Sequence, residues 1–226
     1  MSEGRAAAEV LFCWSGGKDS AMALHALRAS PEYRVAALLT TVTEEYDRIS
    51  MHGVRRALLE RQAESLGLPL HAVLIPPQCS NAIYEERMQE ALELHFAKGV
   101  RHVVFGDIFL EDLRAYREKN LERISMKALF PIWKRDTREL AREFVRQGFR
   151  AVTVCVDPRV LDDSFAGREL DSTFFASLPP AVDACGENGE FHTFVFDGPV
   201  FRAPIAFRAG EKVLRDGFCF FDLLPE

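Results

Sequence analysis

The hexapeptide Ser15-Gly16-Gly17-Lys18-Asp19-Ser20 carries the chain's clearest chemistry. It follows a short apolar run, residues 10–14 (VLFCW), and precedes a helical pattern over 21–28. Strand, glycine-rich turn and helix together make a device for holding phosphate. The glycines let backbone N–H groups approach an anion, and the helix N-terminus adds partial positive charge. Lys18 can neutralise phosphate oxygens, and Ser15 and Ser20 can donate hydroxyl hydrogen bonds. Asp19 beside a polyanion makes sense if Mg²⁺ bridges it to the phosphates, or if it caps the helix. The loop is not a Walker A motif: Phe12 stands where that motif needs its first glycine, and Asp19 stands where it needs Ser or Thr.

Four further groups could contribute. Gly106-Asp107 closes an apolar strand, the ligand edge of an α/β sheet, although Asp107 could equally cap the next turn. His52 and Arg55, in Met51-His52-Gly53-Val54-Arg55, stand at a helix start, where an anion is favoured. A solvated helix start reads the same way. Glu187, Glu190 and His192 crowd a glycine-rich turn; in a strand, Glu190 and His192 share a face and could bind an amine, position ammonia or hold a metal. A polar hairpin tip is the plainer alternative. Asp163 and Arg168 follow the run 151–156, and Arg168 could clamp a phosphate or carboxylate. Glu44 is a weaker candidate for substrate or metal. Cys185 and His25, His71, His95 and His102 read as packing residues.

The positioning elements alternate. Strands are expected at 10–14, 35–42, 70–75, 100–105 and 151–156, and helices at 21–28, 54–66, 82–98, 110–121 and 137–147. Asp136-Thr137-Arg138-Glu139 offers a capping pattern for the last helix. This order predicts an α/β fold, a doubly wound parallel sheet of five strands. The last third differs. Eight of the 18 phenylalanines lie between Phe191 and Phe221. Short strands at 193–196, 203–208 and 213–221, separated by turns at 197–199 and 209–210, suggest a smaller C-terminal subdomain. The soft boundary gives 1–130 for nucleotide binding and 131–226 for the substrate.

The 226 residues are 48% hydrophobic and 27% charged with a net charge of −6, which excludes a disordered chain and argues against a phosphate-backbone binder. Nucleic acid is therefore not an expected partner. Five cysteines without a C-x-x-C pair weaken zinc and dithiol readings and suit a reducing cytoplasm. The polar start over 1–9 lacks the apolar stretch of a secretory leader, and no apolar run approaches a membrane span. Exposed phenylalanine-rich strands would allow a homodimer.

Ser15 to Ser20 resembles the phosphate loop of the N-type ATP pyrophosphatases, the adenine nucleotide alpha hydrolase superfamily. Thr41-Val42-Thr43-Glu44, the 51–55 segment, Gly106-Asp107-Ile108 and Gly186-Glu187-Asn188-Gly189-Glu190-Phe191-His192-Thr193 together resemble the diphthine–ammonia ligase family, over roughly residues 10–204. The resemblance implies an enzyme that adenylates a small-molecule or protein carboxylate with ATP and Mg²⁺, releases pyrophosphate, and amidates the product with ammonia or another amine. It implies that Ser15, Gly16, Gly17, Lys18, Asp19, Ser20, Thr41 and Gly106 bind ATP, and that Lys18, Asp19 and Asp107 act in catalysis, the two aspartates on the metal. Glu44, His52, Arg55, Asp163, Arg168, Glu187, Glu190 and His192 would face the substrate. A tRNA-modifying adenylator and a non-catalytic ATP sensor are the alternatives.

Overall fold

The computed structural model describes residues 6–226. Residues 1–5, the beginning of the polar N-terminal segment, lie outside the described residues. In chain order the elements are β1 (Ala8–Cys13), α1 (Lys18–Arg28), β2 (Tyr33–Thr43), β3 (Arg48–Ile49), α2 (Arg56–Leu66), β4 (Leu70–Ile75), α3 (Asn81–Ala97), β5 (His102–Val104), α4 (Glu111–Glu122), β6 (Lys127–Leu129), α5 (Thr137–Arg146), β7 (Arg150–Val156), α6 (Ser172–Ser177), β8 (Phe191–Asp197), β9 (Phe207–Arg215) and β10 (Phe218–Pro225).

Five strands pair in parallel, in the order β4-β2-β1-β5-β6, and the two-residue β3 lies antiparallel on the extended end of β2. Counted along the chain, the parallel strands run 3-2-1-4-5. The winding direction reverses between β1 and β5, and such a reversal opens a crevice at the strand C-terminal ends. The apolar run of β1 is explained by burial on both faces. Val10, Phe12 and Trp14 enter a core shared with α1, α2 and the second sheet, while Leu11 packs on the other face with Leu39, Ala91 and Leu92. The Asp136 carboxylate caps α5, accepting from the Glu139 amide at 2.8 Å as the sequence pattern predicts.

The second sheet is antiparallel in the order β8-β7-β10-β9. Here two expectations change. The run 151–156 forms a strand, but in the centre of this second sheet; the fifth parallel strand is the three-residue β6. The expected strands at 203–208 and 213–221 are redistributed into the hairpin β9–β10. Its turn is Asp216-Gly217, with φ of 51° and 82°, the doubly positive geometry that an Asp-Gly pair favours in a tight hairpin. Ala209-Gly210 lies within β9 rather than in a turn.

All five cysteines are free thiols. Among the described residues no helix is long and apolar enough to cross a membrane.

Candidate active site

The crevice between β1 and β5 opens into a cavity of about 390 Å³. Ser15, Gly17, Lys18, Asp19, Ser20, Thr41, His52, Gly106, Asp107, Glu187 and His192 line it, so most of the residues singled out from the sequence converge there. Gly17 is the N-cap of α1 and supplies no capping side chain. Within the loop, the Ser15 hydroxyl accepts from the Gly17 amide (3.3 Å) and donates to the Ser20 hydroxyl (3.1 Å), which donates in turn to the Gly17 carbonyl (2.8 Å).

Both sheets build this loop. Thr193 Oγ1 on β8 accepts from the Lys18 amide at 3.0 Å, and the Val195 amide donates to the Gly16 carbonyl at 2.9 Å. Gln62 of α2 completes the junction. Its side chain is fully buried, accepts from Trp14 Nε1 (2.9 Å) and donates to the carbonyls of Gly16 (3.0 Å) and Val195 (2.6 Å). The packing leaves no room for side chains at the glycines. A Cβ on Gly17 would stand 3.1 Å from the Thr193 carbonyl oxygen, and one on Gly106 would stand 3.0 Å from the Ser20 nitrogen.

Lys18 is buried, with its ammonium donating to both Asp19 carboxylate oxygens at 2.9 Å and to the Cys185 carbonyl. Burial opposes the charge on Lys18, but the Asp19 carboxylate outweighs it and holds the pKa above the ordinary lysine value. Asp107 is also buried and pairs with Arg117 of α4: Arg117 Nε lies 2.7 Å from Oδ2, and Nη2 donates to Oδ1 at 3.1 Å. Arg117 in turn packs its guanidinium over the Phe105 ring.

The two histidines over the loop are neutral. His52 and His192 pack with ring centroids 4.7 Å apart, and burial, their mutual repulsion and the nearby Lys18 charge lower His52 to about 3. Burial and Lys18 lower His192 to about 4. Glu187 accepts from the Ile108 amide (2.7 Å), and burial raises its carboxyl to about 7 against the stabilising pull of that bond.

Other residues singled out from the sequence lie elsewhere. Arg55 forms a two-pronged pair with Asp222 on β10, Nε–Oδ1 3.2 Å and Nη2–Oδ2 2.6 Å. Arg168 stacks on Phe165 and Phe174, and the Asp163 carbonyl accepts from Lys212. Glu44 is exposed at the end of β2. Glu190 is buried just before β8, where its carboxylate accepts from the Asp183 and Asn188 amides at 3.0 Å each and so shapes the loop rather than lining the cavity. Gly16 holds the turn at φ +80° without lining the cavity. Cys185 is buried with its thiol pushed up by desolvation, opposite to what a nucleophile needs.

Sequence reasoning missed Arg117, Gln62 and the hydroxyl of Thr193. Gln62 carried a signal: it stands four residues from both Leu58 and Leu66, on the buried stripe of α2. Arg117 carried none, since α4 is strongly charged throughout.

The two-part construction of the site has a counterpart in known proteins. The sequence model of the diphthamide synthase N-terminal domain matches residues 8–128, more than half of the chain, and that of the C-terminal domain matches residues 136–223. The chain belongs to the diphthamide synthase family. Among curated relatives, the Homo sapiens protein named diphthine–ammonia ligase is 26% identical over 227 residues, covering 91% of this chain and 85% of that protein. The Danio rerio protein of the same name is 28% identical over 228 residues, covering 91% and 89%. A Schizosaccharomyces pombe relative, also so named, is 27% identical over 225 residues, but the match covers only 37% of its length. The first match contains the hexapeptide and Gly106-Asp107 and the second contains the segment 186–193, so each matched stretch supplies part of the cavity described above.

Proposed function

We propose that the chain is an ATP-dependent ligase that adenylates a carboxylate and then amidates it. The observation that carries the reading is the loop 15–20 at the winding reversal, joined by Thr193 and Val195 to the segment 186–193, in a family whose curated relatives are named diphthine–ammonia ligases. In this reading residues 1–130 supply the nucleotide site and residues 131–226 supply most of the acceptor side.

ATP lies across the strand ends, with its phosphates on Ser15, Gly16, Gly17, Lys18, Asp19 and Ser20 and its base near Thr41. An acceptor carboxylate oxygen bonds to the α phosphorus. The bond from that phosphorus to the bridging oxygen breaks, and pyrophosphate leaves with the electron pair. An amine nitrogen then bonds to the acyl carbon, the carbon–oxygen bond to AMP breaks, and the nitrogen sheds one proton. His192, held near 4, is too weak a base for that proton; Glu187, lining the same cavity with its carboxyl raised to about 7, suits it better. Lys18 holds charge developing on the phosphates, a task of electrostatic positioning rather than covalent chemistry.

The donor set fits Mg²⁺. Asp19 and Asp107 line one cavity, and no cluster of three or more metal-ligating side chains exists among the described residues. An ion that takes one or two carboxylates and completes its shell with phosphate and water needs no more. Bound there, it would neutralise charge on the phosphates.

The test follows α-labelled ATP with Mg²⁺, ammonium and a small-molecule extract, using the protein and its Lys18→Ala variant. AMP formed only by the unaltered protein supports the reading. ADP as the product, or equal AMP from the variant, overturns it.

A further inference from the structure

A surface groove of about 550 Å³ lies between α5 and the segment that follows α6, away from the nucleotide cavity. Its floor is apolar, with Ala141, Val145, Phe175, Leu178 and Val182. Arg138, Arg142 and Arg146 line it as well, at four-residue steps on α5, and no carboxylate does. The whole chain carries a net charge of −6, so this local positive charge runs against the balance of the molecule. One carboxylate, Glu139, serves both Arg142 (3.2 Å) and Arg146 (3.6 Å); such exposed pairs contribute little and leave most of the positive charge unbalanced.

The same chain exposes a ridge of opposite character. On α3, Ile83, Glu86, Glu90, Leu94 and Ala97 follow one another at three- and four-residue steps, and all are exposed. Such a row is one face of a helix. Leu94 is 51% exposed and Ile83 38%, while the buried face of α3 takes Ala91, Leu92 and His95 instead. The Arg87–Glu90 pair beside the row, 3.5 Å and exposed, is weak. The arginines of the groove and Glu86 and Glu90 of the ridge both recur every four residues, about 6 Å along a helix axis. One register therefore aligns two glutamates with two arginines. Groove and ridge do not meet within one molecule. Leu140 and Phe144 of α5 enter the core on one face of the parallel sheet, and Ala91 and Leu92 of α3 enter the core on the other.

We propose that α3 of one copy docks in the α5–α6 groove of a second copy. Ile83 and Leu94 enter the apolar floor and the glutamates meet the arginines, a helix-in-groove contact. Because groove and ridge lie on opposite sides of the sheet, the contact is head to tail and extends into a ring or an open row of copies. A nucleic-acid strand would match the arginines but not the apolar floor, and the chain's net charge repels it. The inference stands apart from the ligase reading.

The experiment is sedimentation equilibrium of the full chain from about 5 to about 500 μM. The average mass rises above 25.5 kDa with concentration, and the association weakens as salt is added. Reversing the groove (Arg138→Glu with Arg142→Glu) or the ridge (Glu86→Arg with Glu90→Arg) weakens association at least about tenfold. An equal mixture of the two variants associates again, because the ridge of one meets the groove of the other with the original charges. All four positions are at the surface, and an unchanged melting temperature shows each variant folded. A chain that stays at 25.5 kDa throughout overturns the proposal, and so does association that both variants keep or that their mixture fails to restore. A chain that stays monomeric yet binds labelled polyglutamate or polyuridylate would give the groove to another partner and overturn it as well.

Discussion

Replacing Gln62 with leucine tests whether the phosphate loop is held from behind. The side chain is fully buried and makes three bonds, to Trp14 Nε1, the Gly16 carbonyl and the Val195 carbonyl. Leucine fills similar space without replacing any of them. The Gly16 carbonyl keeps its bond from the Val195 amide, but the Trp14 N–H and the Val195 carbonyl lose the amide side chain that pairs with them. Each buried group left unpaired costs about 1–3 kcal/mol, so the loss is about 2–6 kcal/mol. Better apolar burial by leucine offsets about 1 kcal/mol, leaving about 3 kcal/mol. For a chain of this size that lowers the melting temperature by about 6–12 °C. The same change frees the Gly16–Gly17 turn, so the stabilisation by MgATP, read in the same calorimetric or dye-based melt, also shrinks. A Gln62→Leu protein that melts within about 2 °C of the original, with its full MgATP shift, would show that the loop is held by its own backbone and that this accounting is wrong.

Other outcomes follow from the same site. Gly106→Ala places a methyl group 3.0 Å from the Ser20 nitrogen, where only backbone can yield, and nucleotide binding measured by calorimetry should fall at least tenfold. Asp107→Ala leaves the half-buried Arg117 guanidinium without its carboxylate and should cost about 1–3 kcal/mol by denaturant unfolding, whereas a change confined to turnover would mean that the pair contributes nothing to stability. His52 and His192 titrate at 6.5 when unfolded but near 3 and 4 when folded, so the unfolded chain takes up protons first. Their contribution is complete above pH 6.5 and is lost as pH falls through about 4; His52→Gln should move the acid-unfolding midpoint to lower pH. Glu187 behaves oppositely. Its folded value near 7 lies above the ordinary 4.5, so its contribution is complete below 4.5 and lost as pH rises through about 7, and Glu187→Gln should flatten that decline in melting temperature.

The part of the site readable from sequence was the part made by local geometry. Ser15 to Ser20 and Gly106-Asp107 announced themselves because glycine placement and a preceding apolar run are short-range signals. Arg55 and Arg168 looked equally apt chemically, but sequence does not reveal that Asp222, 167 residues away, claims one, or that two phenylalanine rings claim the other. The strand expected at 151–156 forms and is buried along its length, yet nothing in the segment says which sheet does the burying. The three-residue β6 is too short to leave a periodicity. The Asp216-Gly217 hairpin could have been read: the pair has a turn mechanism of its own, and the surrounding aromatic residues masked it.

The bonds from Thr193 and Val195 to the phosphate loop span 175 residues or more along the chain. The cavity around the hexapeptide is therefore completed by the chain's last third, whichever residues touch the nucleotide in the proposed reading. During synthesis the hexapeptide emerges early, but it waits for β8 before its turn is clamped, and such long-range closure slows folding. A nascent chain halted near residue 130 would carry the phosphate-binding residues without their final arrangement. In the proposed reading the completed chain is the form that binds MgATP best, so the ligand would add stability only once β8 is in place.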